Sequence, residues 1–194
     1  MIELPQLVLA SGSQYRKQQL DALGLHFHVA PAGIDESQLE NETASELVHR
    51  LAKEKATKVQ SLFPDACVIG SDQVCTYAGE IYGKPGSIEL AVKQLHKYSS
   101  NSVIFYTALT VLTPEGSCLR HTDQTVVKFR CLTDHEIRRY IEKEMPLNCA
   151  GSFKVESLGL SLFESVQSTD PSALMGLPLI KLCEYLRVIG FQIP

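Results

Sequence analysis

The chain has 194 residues, a hydrophobic content of 44% and a formal net charge of −4, which is enough apolar material for one globular domain over residues 1–194. With a pI near 5.9 and no run of lysine and arginine, the composition argues against binding to long nucleic acid, although a mononucleotide needs only a few local cations. No apolar run approaches membrane-spanning length, no signal peptide is recognisable, and the six cysteines form no CxxC pair, so we expect a reduced, cytoplasmic protein.

Helix and strand patterns alternate along the first half of the chain, and a long hairpin follows. Thr43 with Glu46, and later Thr133 with Glu136, form capping boxes that predict helix starts. The predicted elements are a strand at residues 7–10, a helix at 13–23, a strand at 26–30, a loop at 31–41, a helix opened at 43, a strand at 67–69, a short hairpin turn at 78–79, a helix opened at 87, strands at 102–113 and 119–130, a helix from 133 to about 144, a loop at 149–159, a strand at 160–163, and a last helix from 178 to 190.

This order predicts an α/β fold with a mixed, twisted sheet and flanking helices. The alternative is an α+β domain in which the hairpin forms a separate lobe. We expect Gly70-Ser71 to end the strand before Asp72, which would place that carboxylate at the strand end where α/β proteins bind ligands. Gly83-Lys84-Pro85 then offers a cation on a rigid turn. A carboxylate with lysines suits a metal-assisted reaction on phosphate, but this pair alone fits a capping Asp and a solvated Lys slightly better.

Three further segments carry groups suited to phosphate or to a cation. Ser11 and Ser13 lie where a strand meets a helix, so backbone N–H groups there suit an anion and Arg16 adds a planar donor. Glu36, with the preceding Asp, supplies carboxylates of the kind that hold Mg²⁺ or Mn²⁺. Lys55 lies on an apolar side of its helix, where a lysine either extends to solvent or points into a cleft. Taken singly, each segment also fits an ordinary cap or a solvated surface.

Together these segments resemble the Maf-like nucleoside triphosphate pyrophosphatases along nearly the whole chain. The family pattern Leu-Ala-Ser-x-Ser-Pro-x-Arg is matched by the stretch from Leu9 to Arg16, with Gln14 in place of the proline. The remaining family segments follow in order: Asp35-Glu36, Lys55-Ala56, Gly70-Ser71-Asp72, Gly83-Lys84-Pro85 and Gly176-Leu177-Pro178-Leu179.

Within the family, the chain is most similar to the 7-methyl-GTP pyrophosphatase branch. That branch carries Gln after the central Asp, as Gln73 does here, and a Cys-Ala-Gly-Ser-Phe-Lys-x-Glu loop, matched from Cys149 to Glu156. Branches acting on dTTP and UTP usually show Thr after the Asp and a Lys-Ala-Gly-x-Tyr type of loop. Two departures from the pattern are Tyr15, where the branch often has Trp, and Ala108, where a Gly is frequent.

The resemblance implies two lobes around a central cleft that holds a nucleoside triphosphate. It implies hydrolysis of 7-methyl-GTP to 7-methyl-GMP and pyrophosphate, removing a modified nucleotide. A divalent cation, Mg²⁺ or Mn²⁺, would be held by Glu36 and Asp72, and Asp72 would also accept the proton of the attacking water. The other implied roles are phosphate neutralisation by Arg16, Lys55 and Lys84, and substrate binding by Ser11, Ser13, Tyr15, Gln73 and Glu156.

The family resemblance also suggests a homodimer. Two other functions are compatible with the same residues. One is a dTTP or UTP pyrophosphatase of the same family. The other is a non-catalytic nucleotide-binding regulator, since the family has been linked to arrest of cell division. A purely structural domain would bind no nucleotide at all.

Overall fold

The protein is described by a computed structural model that covers residues 4–194. Residues 1–3, part of the N-terminal stretch in which the sequence predicts no signal peptide, lie outside the described range. The helices are α1 (Gln14–Ala22), α2 (Ala44–Gln60), α3 (Ile88–Tyr98), α4 (Asp134–Glu144) and α5 (Leu179–Ile189). The strands are β1 (Gln6–Leu9), β2 (His28–Val29), β3 (Ala66–Tyr77), β4 (Glu80–Tyr82), β5 (Ser102–Leu112), β6 (Cys118–Phe129) and β7 (Phe163–Gln167).

The strands form a mixed sheet, which confirms the predicted α/β class. The strand order is β2-β1-β3-β5-β6-β7, with β4 paired to β3. Strand β1 runs parallel to both β2 and β3, as expected where helices connect consecutive strands. Strands β4 and β7 are antiparallel to β3 and β6, respectively.

The chain divides into two compact units. The first contains the residues up to Asp72 together with Thr107–Asp123 and Asp170–Pro194, and the second contains Gln73–Tyr106 and Gln124–Thr169. The core of the first unit is aliphatic and packs β1 and β3 against α1 and α5. The second unit has an aromatic core whose neighbouring ring centroids lie 4.8 to 5.8 Å apart, formed by Tyr98, Phe105, Phe129, Phe153 and Phe163.

The predicted helix starts are confirmed because local side-chain bonds determine them. Both capping boxes are complete, with Thr43 and Glu46 at α2 and with Thr133 and Glu136 at α4. The Ser13 hydroxyl accepts from the N–H of Arg16 and caps α1. These bonds connect residues three apart, so the sequence alone reveals them.

Strand β3 departs from the prediction. It does not end at Gly70-Ser71-Asp72 but continues without a break to Tyr77. Asp72 therefore lies in the middle of a long strand and not at its carboxyl end. The hairpin that follows is confirmed, since Ala78 and Gly79 both have positive φ, 51° and 82°, as a two-residue turn of type I′ requires.

Two short strands also differ from the prediction. Strand β2 has only two residues, because the loop before α2 begins directly after it. Strand β7 begins at Phe163, whereas most of the predicted strand forms a 3₁₀ helix, Leu158–Leu162. None of the helices within residues 4–194 is both long and apolar enough to span a bilayer.

No disulfide links the cysteines, all of which fall within the described residues. Cys67 and Cys75 are buried in β3, and desolvation raises the pKa of each thiol to about 12. Both behave as small apolar core residues.

Candidate active site

The close contact between α2 and β3 depends on Gly70. A Cβ at this position would lie 2.2 Å from the carbonyl oxygen of Ala52 and 2.9 Å from the Cβ of Ala56. Only glycine allows the helix to approach the strand so closely. Lys55 lies between the two alanines on α2, and this approach places it against Asp72, two residues beyond Gly70 on β3.

Lys55 bridges two carboxylates. Its Nζ lies 2.7 Å from Oδ1 of Asp72 and 2.7 Å from Oε1 of Glu36. Lys55 and Asp72 are 7% and 6% exposed, whereas the Glu36 side chain is 55% exposed. With Arg16, these residues form the group that we name the charge cluster. All four belong to the first unit, and the structure brings them together from α1, a loop, α2 and β3.

Burial makes Asp72 a stronger base than an ordinary aspartate. Desolvation raises the pKa of the Asp72 carboxyl, and it outweighs the opposing effects of the charges on Lys55 and Arg16. A buried carboxylate with a raised pKa, held by a lysine, is a feature that structures often show at catalytic sites.

Arg16 is anchored through a distant backbone oxygen. Its Nε donates to the carbonyl of Gly176 at 3.0 Å, and its Nη1 donates to Oγ of Ser11 at 3.1 Å. The hydroxyl of Ser71 donates to the same Gly176 carbonyl at 2.7 Å. Desolvation lowers the pKa of the Arg16 guanidinium, while the charges on Asp72 and Glu36 oppose this shift. The arginine is thus fixed in direction beside the carboxylates.

The segment that carries Gly176 is itself held by residues that sequence reasoning missed. Nε2 of Gln19 on α1 donates to the carbonyls of Ser172 and Leu177, at 2.8 and 3.2 Å. Oδ2 of Asp170 accepts from the N–H of Ile180 at 2.7 Å, at the start of α5. These bonds join positions up to 158 residues apart, and no local pattern announces them. The match of Gly176-Leu177-Pro178-Leu179 to the family was the one available signal.

The paired carboxylates of the 31–41 loop have different roles. Oδ1 of Asp35 accepts from the N–H and the hydroxyl of Ser37, at 2.9 and 2.7 Å, and these bonds lower the pKa of Asp35. Glu36 is the carboxylate that contacts Lys55. Asp35 therefore shapes the loop, and Glu36 reaches the charge cluster.

The predicted substrate-binding residues at the start of α1 have different roles and environments. Ser13 caps α1, and its N–H donates to Oγ of Ser11 at 3.2 Å. Ser11 is buried, whereas Tyr15 is partly exposed on the first turn of the helix. The N–H groups of this turn and the Arg16 guanidinium together suit an anion.

The other predicted site residues, Gln73, Lys84 and Glu156, belong to the second unit. Lys84 and Glu156 are exposed, and neither makes an ion pair within residues 4–194. The predicted cleft requires these three side chains to lie near the charge cluster, and this stays a prediction.

The loop from Cys149 to Glu156, which ends at a residue predicted to bind substrate, has a tightly held backbone. A Cβ on Gly151 would lie 2.5 Å from the Phe105 ring, and the Ser152 hydroxyl donates to Gln94 at 2.5 Å. Nζ of Lys154 donates to the carbonyl of Glu144 at 2.5 Å. These preceding residues pack into the unit or bond to it, while Glu156 extends into solvent.

The charge cluster also contains carboxylates of the kind that bind a divalent cation. Mg²⁺ is usually bound by one or two carboxylates together with water and substrate phosphates, and Glu36 and Asp72 supply two carboxylates that each lie 2.7 Å from the same Lys55 ammonium. Within residues 4–194, no three His, Cys, Asp or Glu side chains are grouped to hold a metal by themselves. The donor set therefore fits a cation that shares its ligands with a phosphate substrate.

Comparison with known proteins shows the family to which the chain belongs. The model of the family described as Maf-like protein matches residues 6–189, which include every residue of the charge cluster. The chain belongs to the Maf-like family. Within the matched range, Lys55 contacts Asp72 directly, and the charge of Arg16 acts on the same carboxylate.

Several relatives of this Maf-like protein align over nearly their whole length. The 7-methyl-GTP pyrophosphatase of Xanthomonas axonopodis pv. citri is 49% identical, covering 98% of this chain and all of that protein. The 7-methyl-GTP pyrophosphatase of Saccharophagus degradans is 50% identical over 96% of this chain and 95% of that protein. The nucleoside triphosphate pyrophosphatase of Acinetobacter baylyi is 46% identical, with both chains fully covered.

Among solved structures, the Ham1 protein of Staphylococcus aureus is similar at a TM-score of 0.49 and 13% identity, covering 94% of this chain and 99% of that chain. A similarity of this size supports no argument about the site.

Proposed function

We propose that this Maf-like protein hydrolyses 7-methyl-GTP to 7-methyl-GMP and pyrophosphate. The observation that carries the chemistry is the buried contact of 2.7 Å between Lys55 and Asp72, with Arg16 and Glu36 beside it. The names of relatives that are 49% and 50% identical over nearly the whole chain support the choice of nucleotide.

In the proposed reaction, Asp72 accepts the proton of a water molecule whose oxygen attacks the α-phosphorus. A bond forms between this oxygen and phosphorus, the bond from phosphorus to the oxygen that bridges to the β-phosphate breaks, and pyrophosphate leaves. The raised pKa of Asp72 favours this role, because a stronger base accepts the proton more readily.

The cations of the chain would neutralise the phosphate oxygens. Arg16 is held in direction by Gly176 and Ser11, so it presents its remaining N–H donors without further ordering. Lys55 supplies a buried ammonium, and Lys84 of the second unit would add another. A divalent cation held by Glu36 and Asp72 would neutralise charge on the triphosphate.

The proposed recognition of the methylated base uses Tyr15, Gln73 and Glu156. Methylation at N7 makes the guanine ring positively charged, and an aromatic face attracts a cation. The exposed carboxylate of Glu156 can accept from the guanine N1–H and amino groups, and its charge favours the cationic base. Gln73 would bond to a remaining polar edge of the base.

A panel of substrates tests this proposal. Release of pyrophosphate is measured for 7-methyl-GTP, GTP, dTTP and UTP, with Mg²⁺ or Mn²⁺ and with EDTA. We expect the highest kcat/KM for 7-methyl-GTP, and no activity with EDTA. A preference for dTTP or UTP would replace the proposed substrate by another of the same reaction class. Binding of nucleotide without any pyrophosphate release would instead support a regulator.

The cytoplasm is the proposed location, because cysteines that form no disulfide suit a reducing compartment. A homodimer remains a prediction from the family resemblance.

A further inference from the structure

Glu36 reaches the charge cluster from a loop and not from a helix or strand. The loop joins β2 to α2, and the Glu36 side chain is 55% exposed even though its carboxylate lies 2.7 Å from Lys55. An ion pair with a half-exposed partner is too weak to hold a loop by itself. Other contacts must therefore fix the position of Glu36.

Arg50 supplies such contacts. Its Nε and Nη2 donate to the two carboxylate oxygens of Glu42, at 2.6 and 2.8 Å, and Nη2 also donates to the carbonyl of Ser37 at 2.9 Å. The side chains of Glu42 and Arg50 are 8% and 22% exposed, so this two-point pair is partly shielded from water. Arg50 thus joins α2 to both ends of the 37–42 segment, and Ser37 is the residue directly after Glu36.

Bonds inside the loop complete the support. The Glu42 carboxylate accepts from the N–H of Leu39 at 3.0 Å, and Asp35 accepts from the N–H of Ser37 at 2.9 Å. Residues on both sides of Glu36 are therefore held. The bond from Arg50 lowers the pKa of Glu42 to about 2, so this carboxylate stays ionised throughout the neutral range.

We propose that Arg50 and Glu42 are positioning residues that hold Glu36 in the charge cluster. Arg50 and Lys55 lie on the same helix, five residues apart, so one rigid element fixes both the anchor of the loop and the lysine that Glu36 contacts. Arg50 bonds to Glu42, Ser37 and Glu54, none of which belongs to the charge cluster. The inference rests on the proposed function for the catalytic use of Glu36.

The loop anchor is tested first without nucleotide. Arg50→Lys keeps the charge but loses the planar fork that bonds to Glu42 and Ser37. Amide hydrogen exchange at Leu39 and Ser37 should become faster by about tenfold, as the loss of one net hydrogen bond predicts. Unchanged exchange at both amides would overturn the anchor.

A matched control is Arg138→Lys on α4. Arg138 also pairs with a carboxylate, Asp134 at 2.8 Å, but both residues are exposed and lie one turn apart on one helix. This variant should leave exchange in the 35–42 segment and turnover unchanged. Glu42→Gln is the second test variant and should repeat the effect of Arg50→Lys.

Kinetics then test the positioning role. Arg50→Lys should lower kcat by about tenfold or more, within the hundredfold that a displacement of about 1 Å can cause. In a Glu36→Gln background the same change should have little further effect, because the group that Arg50 positions is already lost. Equal losses in both backgrounds, or normal kcat in Arg50→Lys, would overturn the positioning role. Absence of pyrophosphate release from the wild type would overturn the proposed function instead, and the exchange data would still decide the anchor.

Discussion

The two units hold their proposed functional side chains in different ways. In the first unit, Arg16, Glu36, Lys55 and Asp72 contact one another or the backbone. In the second unit, the backbone of the 149–156 loop is held tightly, but the Glu156 carboxylate extends into solvent. In the proposed function, the groups that act on the reacting phosphate would thus be held by contacts within the protein, whereas the carboxylate that selects the base would be left exposed for the nucleotide to pair with.

The largest expected effect comes from Asp72→Asn, which keeps the shape of the side chain but removes the base. We expect kcat to fall by about a hundredfold or more, the usual scale for loss of a general base. Nucleotide binding, measured by calorimetry, should persist because Arg16 and Lys55 remain. Asp134→Asn, which changes an exposed aspartate on α4, is the control and should retain full turnover. Near-normal turnover in Asp72→Asn would remove Asp72 from the mechanism.

Gly70→Ala should destabilise the first unit, because the added Cβ forces α2 away from β3. The new Cβ would meet the Ala52 carbonyl at 2.2 Å, and overpacking of this kind typically costs about 1–3 kcal/mol. Urea unfolding measures the loss, and turnover should fall with it because Lys55 moves relative to Asp72. Gly83→Ala is the matched control, since its Cβ would have no neighbour within 4 Å. Equal stability of the two variants would contradict this account of the helix approach.

Glu156→Ala should lower the preference for the methylated base without changing the rate of hydrolysis. We expect the ratio of kcat/KM for 7-methyl-GTP over GTP to fall by about tenfold, the scale of one hydrogen bond to a charged group. Turnover at saturating nucleotide should change little. The control is Glu164→Ala, an exposed carboxylate of β7 that pairs with Lys128. If the preference for the methylated base survives, Glu156 does not read the base.

The smallest expected effect is a displaced pH dependence. Because burial raises the pKa of Asp72, kcat/KM should decline on acidification at a pH above the ordinary aspartate value of about 3.9. Lys55→Met removes a cation that lowers this pKa, so the Asp72 titration, followed by carboxyl carbon NMR, should move further upward. A titration at or below the ordinary value would contradict the assignment.

The same shift has a signature in stability. A carboxyl whose folded-state pKa lies above its unfolded value contributes stability that is fully present at low pH and is lost as the pH rises through the folded pKa. The free energy of unfolding of the wild type should therefore fall relative to that of Asp72→Asn as the pH rises through this range.

Much of the fold could be predicted because its signals are local. The capping boxes of α2 and α4 and the Ala78-Gly79 turn involve residues within three positions of one another. The same reasoning failed at Gly70, where glycine was interpreted as the end of a strand. Its actual role is to admit α2, and the nearest signal was the pair of small residues, Ala52 and Ala56, that face it on the helix.

The four residues of the charge cluster could be predicted from the sequence, but the residues that hold them in place could not. The local segments offer Arg16, Glu36, Lys55 and Asp72 as separate candidates, the family pattern joins them, and the fold brings them together. The positions that orient them, such as Arg50 and Gly176, act through bonds between segments that only the folded chain makes adjacent. A carbonyl acceptor in particular has no signature in a sequence, because every residue carries one.

The bond from Arg16 to a backbone carbonyl has a consequence for the mutations that Arg16 can tolerate around it. Its main acceptor is the backbone oxygen of Gly176, which no point mutation can delete. Drift at Ser71 could remove one donor to that oxygen and leave the arginine in place. The vulnerable position is Gly176 itself, because its φ of +117° is rarely adopted by other residues and a Cβ there would lie 3.1 Å from Arg16 Nε. The orientation of this cation therefore tolerates substitution at Ser71 but is sensitive to substitution at Gly176 and at Ser11, whose hydroxyl is the second acceptor of Arg16.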